Sequence, residues 1–104
     1  MYKIIEETQK ITDAYLRGFG FDEESIATLV AKSKVDLEKQ LSQLEILLNT
    51  KPQDMDAIND TLHALKGLLF QVGSHQVGEK VNEIRSDINS DEALNKIKEL
   101  LFYQ

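Results

Sequence analysis

The segment Leu62–Gly73, with the sequence LHALKGLLFQVG, places a single histidine among closely spaced leucines. If the segment is an α-helix, each residue is rotated by about 100° from the one before it, so a helical wheel can be drawn with His63 at zero. The apolar side chains then lie between about 140° and 260°, and they are Ile58, Leu62, Leu65, Leu68, Leu69 and Val72. A helix that buries this apolar stripe must leave His63 in water.

A second set of residues shares the side of the helix on which His63 lies. Its members fall within about 60° of the histidine, and they are Asp56, Asn59, Asp60, Lys66, Gly67 and Phe70. Lys66 lies one turn further along that side, where its ammonium can reach a group bound to the imidazole. Gly67 costs about 1 kcal/mol relative to alanine inside a helix, which is easier to understand if another group must approach closely.

The composition excludes several classes of protein. The net charge of −6 disfavours binding to nucleic acids and to anionic membrane surfaces, because both require clustered Lys and Arg. The chain has no cysteine, which excludes disulfides, thiol catalysis and thiolate metal sites and fits a reducing compartment. No apolar run approaches the roughly 20 residues that cross a bilayer, and the first residues lack the features of a signal peptide. We therefore expect a cytoplasmic protein.

The spacing of apolar residues predicts five helical segments and no strand. The first covers about residues 2–17 and is ended by a short joint at Gly18 and Gly20. Because the two aromatic side chains of this joint are apolar, we expect Phe19 and Phe21 to pack inward.

The second and third segments hold most of the apolar residues. The second is predicted from an N-cap at Asp22 to Asn49, and its length leaves open whether it is one helix or two with a bend near Ser33. A turn follows, and Pro52 suits the first turn of the third helix. That third helix carries the histidine and is predicted to end near Gln71.

The last two segments follow short connections. Gly73 is a predicted C-cap of the third helix, and Ser74 is a predicted N-cap of the fourth. Either Asn89 or Ser90 is the predicted N-cap of the fifth.

The chain is short enough to form a single domain over residues 1–104. Short connections make neighbouring helices pack antiparallel. The predicted fold is therefore all-α, an up-and-down antiparallel four-helix bundle with an additional N-terminal helix. The N-terminal helix and its glycine joint would cover residues 1–20, and the bundle would cover residues 21–104.

The pattern His63-Ala-Leu-Lys66-Gly67, with Gly73 ten positions after the histidine, resembles the signature of histidine phosphotransfer (HPt) domains. These domains are helical carriers that relay a phosphoryl group between aspartates of receiver domains in phosphorelays. The similarity covers about residues 20–104, because the helices before and after the motif also match the arrangement of an HPt domain. It implies that His63 is the phosphoacceptor, that Lys66 stabilises the phosphoryl group and that Gly67 gives it room.

The resemblance also implies partners. Asn59, Asp60 and Phe70 would belong to the face that docks a response-regulator receiver domain, a hybrid histidine kinase, or both. The protein would be a phosphocarrier without kinase activity and without a cofactor of its own, since the receiver domain supplies the magnesium ion. We expect a monomer. The two histidines, neither of them in a Glu-x-x-His pattern, predict no metal site.

One departure from the HPt pattern leaves an alternative open. HPt domains usually carry small residues in the three positions after the Lys-Gly pair, whereas this chain has Leu68, Leu69 and Phe70. Phe70 lies close to His63 on the wheel, and it is either covered by a neighbouring element or exposed as an anchor for a partner. The alternative function is an HPt-shaped helical interaction module that binds a receiver or a kinase without phosphotransfer.

Overall fold

The computed structural model of the protein describes residues 2–102, and this part of the chain is helical with no strand. Its helices are α1 (Lys3–Gly18), α2 (Glu23–Asn49), α3 (Met55–Gln71), α4 (His75–Ser86) and α5 (Ala93–Leu101). The prediction of an all-α fold, with a helical bundle and an additional N-terminal helix, is confirmed. None of these helices combines the length and the apolarity that crossing a membrane requires.

The long second segment is one continuous helix, α2. Its N-cap is Asp22, as predicted, and the carboxylate of Asp22 accepts a hydrogen bond from the backbone N–H of Ser25 at 2.7 Å. α3 begins in the same way, because Asp54 accepts a hydrogen bond from the N–H of Ala57 at 3.0 Å. Pro52 lies in the turn before this cap and not in the first turn of α3, where it was predicted.

The end of α3 is determined by a glycine. Gly73 has φ +89°, a left-handed conformation that glycine adopts without strain. Ser74 lies two residues beyond the C-cap Val72, and its N–H donates to the carbonyl oxygen of Leu69 at 2.8 Å. The N–H of Gly73 donates to the carbonyl oxygen of Phe70 at 3.2 Å. These two bonds form a Schellman motif, which confirms the predicted C-cap and leads the chain directly into α4.

The predicted caps of the last two helices have different outcomes. Ser74 occupies the N-cap position of α4 as predicted, although its hydroxyl makes no capping hydrogen bond within the described chain. α5 begins at Ala93 with Glu92 at the N-cap position, so the prediction of Asn89 or Ser90 is wrong. Turns that follow α4 occupy those two residues and delay the start of α5.

The aromatic side chains of the α1–α2 joint do not pack inward, so that prediction is wrong. Phe19 is 67% exposed and Phe21 is 45% exposed. The joint closes around Gly20 at φ +85°, with the same pair of hydrogen bonds as the end of α3. The connection between α1 and α2 is therefore short, and both rings stay at the surface. Phe19 instead contacts the ring of Tyr15 edge-on, with 4.9 Å between the centroids.

Contacts at the two ends of α1 show that α1 and α2 are antiparallel. Just before α1, the hydroxyl of Tyr2 donates to the carboxylate of Glu45 near the end of α2 at 3.2 Å. At the other end of α1, Arg17 forms an ion pair with Glu23 at the start of α2. The N-terminal helix is therefore attached to α2 along its length.

The core contains buried apolar residues from all five helices. They are Ile4, Ile5, Leu37, Leu41, Leu44, Leu48, Ile58, Leu62, Leu65, Leu69, Val81, Ile97 and Leu101. α3 packs against both α2 and α4. Because the inward side of α3 is buried between these neighbours, its outward side forms a strip of surface with α2 on one flank and α4 on the other.

Candidate functional site

His63 lies on the outward side of α3, and its side chain is exposed. Leu62, Leu65 and Leu69, on the opposite side of the same helix, are 0%, 1% and 1% exposed. The constant rotation between successive helical residues accounts for this arrangement. The exposure that the sequence predicts for the imidazole is therefore confirmed, and the ring is accessible to a group on another molecule.

The flank of this surface that faces α4 carries Asn59 and Lys66. Asn59 is half-buried, and its Oδ1 accepts a hydrogen bond from Nε of Arg85 in α4 at 3.1 Å. Lys66 is also half-buried, and it forms no ion pair within residues 2–102. Asp60 is exposed. Because no carboxylate of the described residues pairs with it, the ammonium of Lys66 can interact with an anion on another molecule.

The three bulky residues after the Lys-Gly pair are accommodated by the fold. Leu69 is buried in the core, and Leu68 is half-buried against it. Phe70 is half-buried and packs over Gly78 of α4, beside the ring of His75 at a centroid distance of 5.6 Å. Of the two alternatives for Phe70, the structure adopts the one in which a neighbouring helix covers the ring.

Gly67 and Gly78 differ in the space around them. A Cβ on Gly67 would meet no atom within 4 Å, whereas a Cβ on Gly78 would lie 2.8 Å from the ring of Phe70. Packing within the chain therefore accounts for Gly78 but not for Gly67. The open space at Gly67 adjoins His63, which lies one turn earlier in α3.

The flank of α3 that faces α2 contains an open depression of about 390 Å³. Residues of both helices line it, namely Asp36, Lys39 and Gln40 from α2 and Ala64, Gly67, Leu68 and Gln71 from α3. Its carboxylate, that of Asp36, is already paired with Lys32 at 3.0 Å. Polar side chains of α2 therefore border the open space at Gly67, one turn along α3 from the histidine.

Two basic residues border the candidate site although the sequence did not predict them. Arg85 contacts the site through Asn59, and Lys39 shares the depression with Gly67. Both belong to neighbouring helices, and the only signal for them in the sequence is a basic residue on a predicted helix. Which helices adjoin α3, and at what register, cannot be derived from the periodicity of α3 itself.

Among the described residues, no group of three or more histidines and carboxylates could hold a metal ion. Comparisons of the chain with protein-family models, with curated proteins and with solved structures each found no match. The chemistry open to the site depends on three features of α3. These are an exposed imidazole at His63, an ammonium one turn along at Lys66, and open space at Gly67.

Proposed function

We propose that the protein is a phosphorelay carrier of the histidine phosphotransfer type. His63 accepts a phosphoryl group through Nε2 from a phosphoaspartate or a kinase and hands it to a receiver aspartate. The observation that carries the proposal is the exposed imidazole of His63, with Lys66 on the same side of α3 and open space at Gly67. The HPt-like spacing of these residues and of Gly73 supports it.

The transfer step moves one phosphoryl group between two nucleophiles. The lone pair of the imidazole nitrogen forms the N–P bond while the P–O bond of the phosphoaspartate breaks and leaves its electron pair on the carboxylate. The ring keeps the proton on its other nitrogen, and the reverse step passes the group on. Negative charge is spread over the equatorial oxygens of a loose transition state, so positioned cations provide most of the stabilisation. Lys66 would supply one of these cations.

The proposed partners are a response-regulator receiver domain, a hybrid histidine kinase, or both. Asn59, Asp60 and the part of the Phe70 ring that α4 leaves uncovered would form the docking face around His63. The receiver domain would bring the magnesium ion, so the carrier needs no cofactor of its own. We further propose that it acts as a monomer in the cytoplasm, and the absence of cysteine fits that reducing compartment.

Incubation with receiver domains phosphorylated on aspartate tests the proposal. We expect wild-type protein to acquire an acid-labile phosphoryl label and the His63→Gln variant to acquire none. The matched control is His75→Gln, because His75 is the other histidine of the chain and its side chain is also exposed. Equal labelling of the His63→Gln variant, or loss of the label in His75→Gln alone, would contradict the assignment.

The alternative is an HPt-shaped interaction module without phosphotransfer, and it was motivated by Leu68, Leu69 and Phe70. These side chains pack against the core or against α4, and His63 is exposed beside them. Their bulk alone is therefore no reason to expect that the chemistry is lost. The alternative would be supported if receiver binding, measured by calorimetry, survived in His63→Gln while no receiver ever transferred a phosphoryl group to the wild type.

A further inference from the structure

The depression at Gly67 lies between α2 and the part of α3 that follows His63 by one turn. On the helical wheel of α3, Gly67 and Ala64 lie on the α2 side of His63, and Lys66 lies on the α4 side. The depression has a volume of about 390 Å³, against about 30 Å³ for one water molecule in the liquid. A phosphoryl group on His63 that leans over Gly67 would therefore fit there and face α2.

Lys39 is a cation of α2 that borders this depression. Two other lysines of α2 have carboxylate partners on their own helix. Lys32 pairs with Asp36 at 3.0 Å, and Lys34 pairs with Glu38 at 3.9 Å. Lys39 is exposed and has no ion pair within the part of the chain that the structure describes. Its charge therefore remains available to an anion in the depression.

We propose that Lys39 is a second phosphoryl-contacting residue of this site, which holds the phosphoryl oxygens from α2 while Lys66 holds them from α3. This inference rests on the function proposed above. Because the transition-state charge is shared by three equatorial oxygens, two ammonium groups on opposite flanks stabilise it better than one. Lys39 neither gives nor takes a proton in the transfer step, and it acts as a point charge.

Labelling with potassium phosphoramidate tests the inference without a protein partner. The imidazole nitrogen attacks phosphorus, the P–N bond of the reagent breaks and ammonia leaves, so His63 receives the same phosphoryl group. Intact-mass spectrometry follows the rate for wild type, Lys39→Met and Lys34→Met, with His63→Gln as the blank. Lys34 is the matched control, because it lies on the same helix but borders the groove between α1 and α2.

We expect Lys39→Met to be labelled about three- to fivefold more slowly than wild type, which is the effect of one exposed ion pair. Lys34→Met should be labelled at the wild-type rate, and Lys39→Arg should retain most of it. In about 1 M KCl the Debye length falls to about 3 Å, so the deficit of Lys39→Met should shrink. A structural effect of the substitution would not respond to salt in this way.

Two results would overturn the role of Lys39 and leave the carrier function intact. One is a Lys39→Met rate equal to that of Lys34→Met while His63 is labelled in both. The other is a deficit that does not change with salt. If His63 of the wild type takes no label from either phosphoramidate or phosphorylated receivers, the carrier function itself fails and the role of Lys39 fails with it.

Discussion

The ring of Phe70 lies where a side chain on Gly78 would have to be, since a Cβ on Gly78 would come within 2.8 Å of two ring carbons. Non-bonded atoms do not approach that closely, so a side chain at Gly78 would force α3 and α4 apart. The glycine in α4 thus makes room for the aromatic residue of α3. This contact explains how the fold accommodates a bulky residue near His63 while the imidazole stays exposed.

Gly78→Ala is expected to destabilise the protein. Alanine raises helix propensity by about 1 kcal/mol, but overpacking a tight contact costs about 1–3 kcal/mol. We therefore expect the free energy of unfolding, measured by urea denaturation, to fall by about 1 kcal/mol. In the control Gly67→Ala, which meets no atom within 4 Å, it should instead rise by up to about 1 kcal/mol. A Gly78→Ala variant as stable as Gly67→Ala would contradict the contact with Phe70.

A long side chain at Gly67 is expected to slow phosphotransfer without lowering the stability of the fold. Gly67→Gln should not lower the free energy of unfolding, because the position is open and glutamine is the better helix former. Transfer from a phosphorylated receiver should nevertheless slow on the order of a hundredfold, since the new side chain displaces the reacting groups beside His63. Ala14→Gln, at an exposed position of α1, is the control. Unimpaired transfer in Gly67→Gln would refute the role of this glycine in giving clearance.

Two glycines with positive φ are expected to differ in their tolerance of alanine. Gly73 has φ +89° and Gly20 has φ +85°, so alanine at either position is strained by about 1–2 kcal/mol. A Cβ on Gly73 would also overlap the ring of Tyr15, whereas a Cβ on Gly20 would meet nothing within 4 Å. Gly73→Ala should therefore lose about 1–3 kcal/mol more than Gly20→Ala in urea denaturation. Equal losses would show that Tyr15 does not pack against Gly73.

Acid is expected to weaken both the N-terminal cap of α2 and the attachment of α1 to α2. The backbone N–H of Ser25 lowers the pKa of Asp22 below its ordinary value of 3.8. The hydrogen bond and the charge of Arg17 lower the pKa of Glu23 below its ordinary value of 4.5. A carboxyl whose pKa is lower in the folded chain stabilises the fold above the unfolded pKa and stops doing so as pH falls through the folded pKa. These contributions should thus be complete near neutral pH and should disappear as the pH falls below about 4.5.

Thermal unfolding near pH 7 and near pH 3 measures this effect. The double variant Asp22→Asn/Glu23→Gln keeps hydrogen-bond acceptors at both positions but cannot titrate, so its midpoint should fall less in acid than that of wild type. Glu79→Gln removes an exposed carboxylate that forms no ion pair within the described chain and should respond like wild type. If acid lowers all three midpoints equally, the two lowered pKa values do not contribute to stability.

Features that depend on one helix and its own caps could be predicted from the sequence. The outward direction of His63 follows from the leucines of the same helix, because the rotation per residue is constant. The end of α3 at Gly73 and the start of α2 at Asp22 follow from local backbone chemistry, and both are present in the structure. The phosphoacceptor role of His63 stays a prediction.

Features that depend on more than one helix, or on how a joint closes, were predicted wrongly or not at all. Phe19 and Phe21 were expected to be buried because they are apolar, but the tight turn at Gly20 leaves both exposed. Asn89 was a suitable cap by residue type, yet the turns after α4 continue past it. Residue type alone does not specify the path of the chain between helices.

The surroundings of the histidine arise from the packing of α2 and α4 against α3. This packing brings Arg85 to Asn59 and places Lys39 at the depression beside Gly67. The register and crossing angle of two helices depend on many side chains interlocking at once, and no pattern within a single helix contains that information. The sequence alone therefore predicts the all-α class and the outward direction of the imidazole. The groups on either side of the imidazole are determined by how the helices pack.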